Sequence, residues 1–243
     1  MPRPTELDNL RVVLVATRNP LNLGAAARAM SNFGFLHLGV VNPYALAFRE
    51  ARSAVGASAV MKNAEEYSSV ADAIADCSLV VGTTTLRNRR RHQPLHGLED
   101  GARRIRRALA SQKIALLFGS EKVGLSNEDL SHCHWLMHIP TREAHPSMNL
   151  GQAVAVCLYE VVRSGKVRAG VAKASAAQAG ELERLTTLLV ETLGASGYLE
   201  KGPSDVTTAK IRRLVRRLSL QDADAELLLG MLRQIQWKIR SRD

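Results

Sequence analysis

Short apolar, β-rich runs alternate with segments of helical spacing over about the first 160 residues of the chain. The runs occupy residues 11–16, 37–42, 78–82, 114–118 and 135–140, and helical segments separate them. Two parallel strands need a crossover of a dozen or more residues between them, and that crossover is usually a helix. The alternation therefore predicts an α/β domain built on a parallel sheet.

Residues 114–160 contain two of these runs, and each run ends in a polar loop. The first loop, residues 119–124, precedes a short helix that Ser126 can cap. The second loop closes on residues 147–149, just before a long apolar helix. In open parallel sheets, small ligands bind at loops on the carboxyl ends of the strands. The sequence therefore predicts a ligand site where these two loops meet.

The composition changes after residue 163. Residues 165–180 are small and weakly basic and lack bulky side chains that could anchor a core, which predicts a linker. Helical spacing then recurs at 181–193, 204–218 and 222–240. We therefore expect an α/β domain at 1–164, a linker at 165–180 and a small all-α C-terminal extension at 181–243.

The helix predicted at 204–218 carries its apolar and its basic residues on different faces. Helical spacing groups Ile211, Leu214, Val215 and Leu218 on one face, which we expect to face a core. The arginines at 212, 213, 216 and 217 lie away from that face and are expected to reach solvent.

The chain is strongly basic, with a net charge of +10 and a pI near 10.0. Such a surplus attracts polyanions, above all nucleic acid. Aromatic residues make up only 4% of the chain, so contacts with phosphates and shape are favoured over base stacking. An arginine-rich surface that serves solubility alone remains the alternative.

Two basic regions are the candidate RNA contacts, with solvated helix or loop faces as the alternative interpretation. The first comprises Arg87, Arg89, Arg90 and Arg91, followed by Arg103, Arg104, Arg106 and Arg107. The second comprises Lys210, Arg212, Arg213, Arg216 and Arg217.

Nucleotide triphosphates and metals are disfavoured as ligands. The chain has no G-x-G-x-x-G motif, and its nearest approach to a phosphate-binding loop has Leu125 where that loop requires lysine. His132, Cys133, His134 and His138 surround an apolar strand, where neighbouring side chains point to opposite faces. We therefore interpret them as structural and expect no metal site.

The chain contains no apolar run of about 20 residues, the length that crosses a bilayer, and its start lacks the apolar segment of a signal peptide. Three cysteines without a Cys-x-x-Cys pair favour a reducing compartment. We therefore expect a cytoplasmic protein with no membrane partner.

Three motifs together carry a family resemblance. They are NLGAAAR at 22–28, LFGSEKVGL at 117–125, and IP at 139–140 followed by SMNL at 147–150. In this order and with this spacing they resemble the three motifs of the SpoU/TrmH branch of the SPOUT RNA methyltransferases. They are most similar to those of the TrmJ-type tRNA 2′-O-methyltransferases. The resemblance covers about residues 10–163.

The resemblance implies a parallel-sheet SPOUT domain with a C-terminal trefoil knot, a homodimer, and S-adenosylmethionine bound in the knot. By motif, the residues expected to hold the cofactor are Thr83, Thr84, Thr85, Gly119, Ile139, Pro146, Ser147 and Met148. Met148 stands where leucine is usual in the family, and Gly151 stands where serine or alanine is common.

The resemblance also makes Arg28 the catalytic residue. Because a guanidinium is a poor base, we expect Arg28 to orient a substrate phosphate and stabilise the developing alkoxide. Asn22, a candidate helix cap, would shape the pocket and steady Arg28 together with Glu121, Ser147 and Asn149.

The expected reaction is methylation of a ribose 2′-hydroxyl in tRNA, at nucleotide 32 of the anticodon loop. Two alternatives remain open: an enzyme of the same class that acts on ribosomal RNA, and a dimeric RNA-binding protein without turnover. The intact Asn22, Arg28, Glu121 and Asn149 speak against the last of these.

Overall fold

The structure is a computed structural model that describes residues 4–53, 58–85, 93–163, 175–199 and 202–241. Its strands are β1 (Leu10–Val15), β2 (His37–Val41), β3 (Glu65–Tyr67), β4 (Leu79–Thr83), β5 (Leu95–Gly97), β6 (Ile114–Phe118) and β7 (Trp135–His138). They form one sheet in the order β3-β2-β1-β6-β4-β7-β5, and every neighbouring pair is parallel. The predicted parallel α/β sheet is confirmed.

Eight helices of the described chain precede residue 164. They are α1 (Pro4–Leu7), α2 (Pro20–Phe33), α3 (Ala45–Ser53), α4 (Ala59–Lys62), α5 (Val70–Ile74), α6 (Leu98–Ala108), α7 (Asn127–Ser131) and α8 (Leu150–Arg163). Three more follow residue 175: α9 (Ala179–Ala195), α10 (Asp205–Arg217) and α11 (Asp222–Arg240). Within the described ranges, no helix is both long and apolar enough to cross a membrane.

The sheet is buried on both faces because side chains alternate along each strand. In β1, Leu10, Val12 and Leu14 belong to the core beneath α2, α6 and α8. Val13 and Val15 belong to a second core, which packs against α5, α7 and the start of α9. All five side chains are at least 94% buried. The buried sheet fixes the strand ends, and these carry the candidate site.

Helix α2 begins three residues earlier than its sequence motif suggests. Asn19 caps it, because its Oδ1 accepts a hydrogen bond from the Leu21 amide at 2.9 Å, and Pro20 takes the first helical position. The capping role expected of Asn22 is therefore wrong. Asn22 lies inside the first turn, and its buried side chain is free to serve the site.

The C-terminal helices share a small core of their own and pack against α5 and α7. Residues 175–180 of the predicted linker are part of this layer. Ala176 pairs with Gln221 in an isolated bridge, and Ala177 and Ala179 are buried. The small side chains that predicted a linker are the ones that permit this close packing.

The predicted faces of α10 are partly wrong. Leu214 and Leu218 are 45% and 53% exposed, whereas Arg212 and Arg216 are 7% and 1% exposed. Helical spacing assigns arginine to solvent, but carboxylates on α7 and α9 stabilise these two guanidinium groups inside the protein.

Arg212 is held by groups from two helices. Its Nη1 lies 2.6 Å from Glu128 Oε1 and donates to Ser131 Oγ at 2.9 Å, while its Nη2 lies 2.8 Å from Glu183 Oε1. Arg216 Nη2 donates to the carbonyl of Ala179 at 3.1 Å. These contacts join the C-terminal helices to α7, the helix that follows the loop at 119–124.

Candidate active site

Three loops converge at one edge of the sheet because β6, β4 and β7 are neighbours and run in the same direction. Residues 83–85 end β4, residues 119–124 follow β6, and residues 139–149 follow β7. Together they line a cavity of about 530 Å³, which is within the range of roughly 300–1,000 Å³ typical of small-molecule sites. We call it the first cavity. The loops predicted from residues 114–160 to form a ligand site thus line a cavity, and ligand binding there stays a prediction.

All the residues predicted to hold the cofactor line the first cavity. They are Thr83, Thr84, Thr85, Gly119, Ile139, Pro146, Ser147 and Met148. Phe118, Leu125 and Leu150 add apolar walls to this polar set. Residues from three separate motifs therefore meet around one volume, and their role as cofactor contacts stays a prediction.

The loop at 119–124 folds tightly back on itself. The Gly124 amide donates to the Ser120 carbonyl at 2.9 Å and closes a small antiparallel bridge. A Cβ atom on Gly119 would lie only 1.9 Å from the carbonyl carbon of Gly124. Glycine is therefore required at position 119, and the backbone of the loop forms one wall of the cavity.

Two of the three threonines, Thr83 and Thr84, also tie the strand ends together. Thr83 Oγ1 donates to the carbonyl of Leu117 at 2.9 Å, across to β6. The Thr84 amide donates to the carbonyl of Met137 at 3.0 Å, across to β7. Their first role is therefore to fix the spacing of β4, β6 and β7 at the mouth of the cavity.

A hydrogen-bonded network joins three of the predicted catalytic residues. Asn22 Nδ2 donates to Glu121 Oε1 at 2.8 Å, and Asn149 Nδ2 donates to Asn22 Oδ1 at 2.9 Å. The Gln152 amide donates in turn to Asn149 Oδ1 at 3.3 Å. The network links the first turns of α2 and α8 to the loop at 119–124, although the three motifs are far apart in sequence.

Glu121 is the centre of this network. It also accepts hydrogen bonds from the backbone amides of Arg18 and Asn19, at 3.4 and 3.3 Å. Partial burial alone would raise the pKa of this carboxyl group, but the hydrogen bonds, led by that from Asn22, lower the pKa below its ordinary value. The carboxylate therefore stays ionised and acts as a cross-link between the loop and the turn before α2.

Arg28 lies apart from the network. It is exposed on α2, six residues beyond Asn22, or about 9 Å along the helix axis. No residue in the described ranges forms a hydrogen bond or an ion pair with its guanidinium. The expectation that Asn22, Glu121 and Asn149 steady Arg28 is therefore wrong within one chain, because these three residues bond to one another instead.

The structure divides the predicted RNA-binding arginines into different groups. Arg87, Arg89, Arg90 and Arg91 lie outside the described residues. The RNA-binding prediction is wrong for Arg212 and Arg216, because both guanidinium groups are buried and paired.

Other members of the two basic regions keep the prediction open. Arg213 is half-buried and donates to the carbonyl of Asn127 at 3.1 Å. Lys210 and Arg217 are exposed. In the first region, Arg103 and Arg104 share Asp100, at 2.6 and 2.8 Å.

Sequence reasoning missed several residues that line the first cavity. They include Lys122, Val123, Thr141 and His145. The only available signal was their position inside the two polar loops. Their direction depends on how the loop at 139–149 folds, and no spacing rule gives that fold.

Gly151, where the family often has serine or alanine, is explained by the packing of α8 on α2. A Cβ atom at this position would lie 2.6 Å from the Cβ of Ala25. The glycine therefore lets the two helices approach closely, just beside the bond between Asn22 and Asn149.

His134 and Cys133, just before β7, have contacts of the kind found in a protein core. His134 Nδ1 accepts a hydrogen bond from the Val80 amide at 3.0 Å, and Cys133 is fully buried. In the part of the chain that the structure describes, no group of three or more His, Cys, Asp or Glu side chains could hold a metal ion.

Comparisons with known proteins agree with the motif reading. Residues 9–159 match the profile of the SpoU rRNA Methylase family. The tRNA (cytidine/uridine-2′-O-)-methyltransferase TrmJ of Sodalis glossinidius is 37% identical over 237 residues, which cover 95% of this chain and 92% of that protein. The protein of the same name from Citrobacter koseri is 35% identical over 238 residues, with 95% and 97% covered.

A solved structure extends the likeness to the fold. The crystal structure of TrmJ from Z. mobilis ZM4 superposes with a TM-score of 0.80 at 30% identity and covers 93% of this chain and 98% of that chain. The sequence match, the structural match and the three motifs agree, so the chain belongs to the SpoU rRNA methylase family.

Proposed function

We propose that this protein uses S-adenosylmethionine to methylate a ribose 2′-hydroxyl in tRNA, at nucleotide 32 of the anticodon loop. The observation that carries the proposal is the meeting of all three family motifs around one cavity and one hydrogen-bonded network. Relatives that match 95% of this chain bear the name tRNA (cytidine/uridine-2′-O-)-methyltransferase, which supports tRNA as the substrate.

The first cavity is the proposed S-adenosylmethionine site, and the residues present fit that molecule. The tight turn at Gly119 brings backbone groups to the wall, where they can bond an adenine edge, and Phe118, Leu125 and Leu150 provide apolar contact. When bound, S-adenosylmethionine supplies an electrophilic methyl group on its sulfonium. In the proposal the loop at 139–149 belongs to a trefoil knot that encloses the site.

The protein's part in the reaction is to place a ribose hydroxyl and stabilise the charge that develops on it. Ser147 lines the cavity and can contact the substrate, while the network of Asn22, Glu121 and Asn149 holds the surrounding walls. Arg28 orients a substrate phosphate and stabilises the developing alkoxide. Its exposed guanidinium, free of partners in the described residues, is available for that contact.

The distance of Arg28 from the network supports a homodimer, in which a second chain completes the site. Leu21 on α2 is 78% exposed, and Tyr159 on α8 is 53% exposed. Exposed apolar side chains on these two packed helices are suited to an interface between copies. Light scattering on the purified protein tests the dimer, and a monomer at micromolar concentration would reject it.

RNA contacts are proposed for the residues that remain exposed, Lys210 and Arg217, and for the predicted region at 87–91. We retain the division into an α/β domain, a connecting segment and a helical extension, and the cytoplasm as the site of action. The three buried, unpaired cysteines suit a reducing compartment.

The decisive assay measures transfer of a labelled methyl group to bulk tRNA and, separately, to ribosomal RNA. We expect label in tRNA as 2′-O-methylribose, and labelling about 10³-fold slower with Arg28→Ala. Ribosomal RNA is the second candidate substrate, because the matched family profile carries that name. Label in ribosomal RNA alone would select that alternative, and label in neither RNA would favour an RNA-binding protein without turnover.

A further inference from the structure

A second cavity lies against the loop at 119–124. Its volume is about 630 Å³, and it is lined by the turn before α2 and by one side of the loop. Residues 120–123 also line the first cavity, so this short segment forms a wall shared by both. A molecule that fills the second cavity is therefore separated from the first cavity only by residues 120–123.

The second cavity has two cations that the fold itself does not use. Arg18 and Lys122 both line it and are both exposed. Neither side chain has a hydrogen-bond or ion-pair partner among the residues that the structure describes. The one carboxylate in the lining belongs to Glu121, which is occupied by Asn22 and by two backbone amides. Positive charge in this cavity is therefore available to an outside ligand.

The backbone that carries Arg18 is held in an unusual conformation. Ala16, also in the lining, has a φ of +53°, which non-glycine residues rarely adopt. Glu121 fixes the next residues by accepting from the amides of Arg18 and Asn19. Strained backbone that is held by surrounding contacts clusters at functional sites. The Arg18 backbone is fixed while its side chain stays free, as expected of a binding residue.

We propose that the second cavity binds the sugar-phosphate backbone of the RNA strand beside the methylated ribose, with Arg18 and Lys122 as phosphate contacts. The inference rests on the proposed function and deepens it. A ribose presented to the first cavity has a phosphate on each side, and residues 120–123, which line both cavities, bring the second cavity within reach of such a phosphate. Phosphates are the groups that unpaired Arg and Lys side chains bind most readily.

The test measures binding of a fluorescent, unmodified tRNA transcript at several salt concentrations. Variants are Arg18→Gln, Lys122→Gln and the double change; matched controls are Arg49→Gln and Lys62→Gln, which remove exposed cations outside both cavities. Each of the first two changes should weaken tRNA binding by about tenfold. Each should also reduce the slope of log affinity against log salt by roughly 0.7, the value for one single-strand phosphate contact.

Calorimetric affinity for S-adenosylmethionine should stay at the wild-type value in Arg18→Gln, because Arg18 lines the second cavity and not the first, and Arg18→Lys should restore most of the RNA affinity because it keeps the charge. Wild-type RNA affinity and salt slope in the double variant would overturn the proposal. So would weakened S-adenosylmethionine binding with unchanged RNA binding in Arg18→Gln. The RNA-binding measurements test the second cavity independently of methyl transfer. If the wild type binds tRNA but transfers no methyl group, that result counts against the proposed function and not against the second cavity.

Discussion

Helices α2 and α10 each carry an arginine just past the middle of the helix, but the two helices use it in opposite ways. On α2, Arg28 is exposed and has no partner in the described part of the chain. On α10, Arg212 is buried and bonded to Glu128 and Glu183. The arginine of α2 is thus available to a ligand, whereas that of α10 stabilises the packing of two helices.

The difference teaches that the surrounding carboxylates, and not the basic residue or its spacing, decide what an arginine does. Burial of an unpaired guanidinium is costly, so Arg212 can enter the interior only because Glu128 and Glu183 meet it there. No carboxylate of the described chain meets Arg28. Substitutions at these positions should therefore change different properties of the protein.

The largest effect is expected for Arg28→Ala. Loss of charge stabilisation at the reacting oxygen should lower kcat by about 10³-fold. The midpoint of thermal unfolding and the affinity for S-adenosylmethionine should not change, because Arg28 contacts nothing that the fold or the first cavity needs. Single-turnover methyl transfer, with melting and calorimetry as controls, checks this. A destabilised variant with normal kcat would break the comparison.

Arg212→Met, in contrast, should lower the stability of the fold. Removing one partner leaves Glu183, whose side chain is 24% exposed, without its main counter-charge, at a cost of about 3 kcal/mol in the free energy of unfolding. That corresponds to a fall of roughly 10 °C in the melting midpoint of a chain of this size. Arg217→Met, which removes an exposed arginine of the same helix, should melt like the wild type. Equal melting of the two variants would refute the structural role of Arg212.

Glu121→Gln tests whether the hydrogen-bonded network between the two cavities contributes to activity. The amide keeps one acceptor but loses the charge that strengthens the bonds from Asn22 and from the amides of residues 18 and 19. We expect about a tenfold loss of kcat/KM, equivalent to one weakened charge-assisted hydrogen bond. Steady-state kinetics measures it, and wild-type kcat/KM would mean that the network has no part in activity.

The smallest effect concerns acid stability. Neighbouring His132, whose Nε2 lies 3.8 Å from Glu128 Oε1, and the charge of Arg212 lower the pKa of Glu128 from 4.5 to about 2. A carboxyl group whose pKa is lower in the folded chain stabilises the fold above its unfolded pKa and loses that contribution as pH falls. Melting between pH 5 and pH 2.5 should therefore be less pH-dependent in Glu128→Gln than in the wild type. Because Glu128 is more than half exposed, the difference should be small. Identical pH dependence would reject the pairing.

Much of the fold was predictable because its signals are local. The five longer strands follow from apolar runs, and the long apolar helix expected just after residue 149 is α8 (Leu150–Arg163). Strands β3 and β5 have three residues each, too few for a periodic pattern. The residues around the first cavity were selected by motif, and their convergence follows from the parallel order of β6, β4 and β7.

The features that could not be predicted from the sequence depend on contacts between residues far apart along the chain. The burial of Arg212 requires Glu128, which lies 84 residues away along the chain. The bond between Asn22 and Asn149 spans 127 residues. The helix cap at Asn19 was missed because Asn22, also a good capping residue, lies three positions later. In each case the local sequence allowed two roles for the residue, and contacts with residues far along the chain determine which role it has.

Calorimetric titration of S-adenosylmethionine into the wild type and Gly119→Ala tests the central claim most directly, with Gly97→Ala as the matched glycine control. A Cβ at 119 collides with the backbone at Gly124, whereas a Cβ at 97 meets nothing within 4 Å. We expect wild type and Gly97→Ala to bind with one site per chain, and Gly119→Ala to lose at least about tenfold in affinity, the equivalent of 1.4 kcal/mol. Absence of binding to the wild type, with or without tRNA, or unchanged affinity in a folded Gly119→Ala, would contradict the assignment of the cavity.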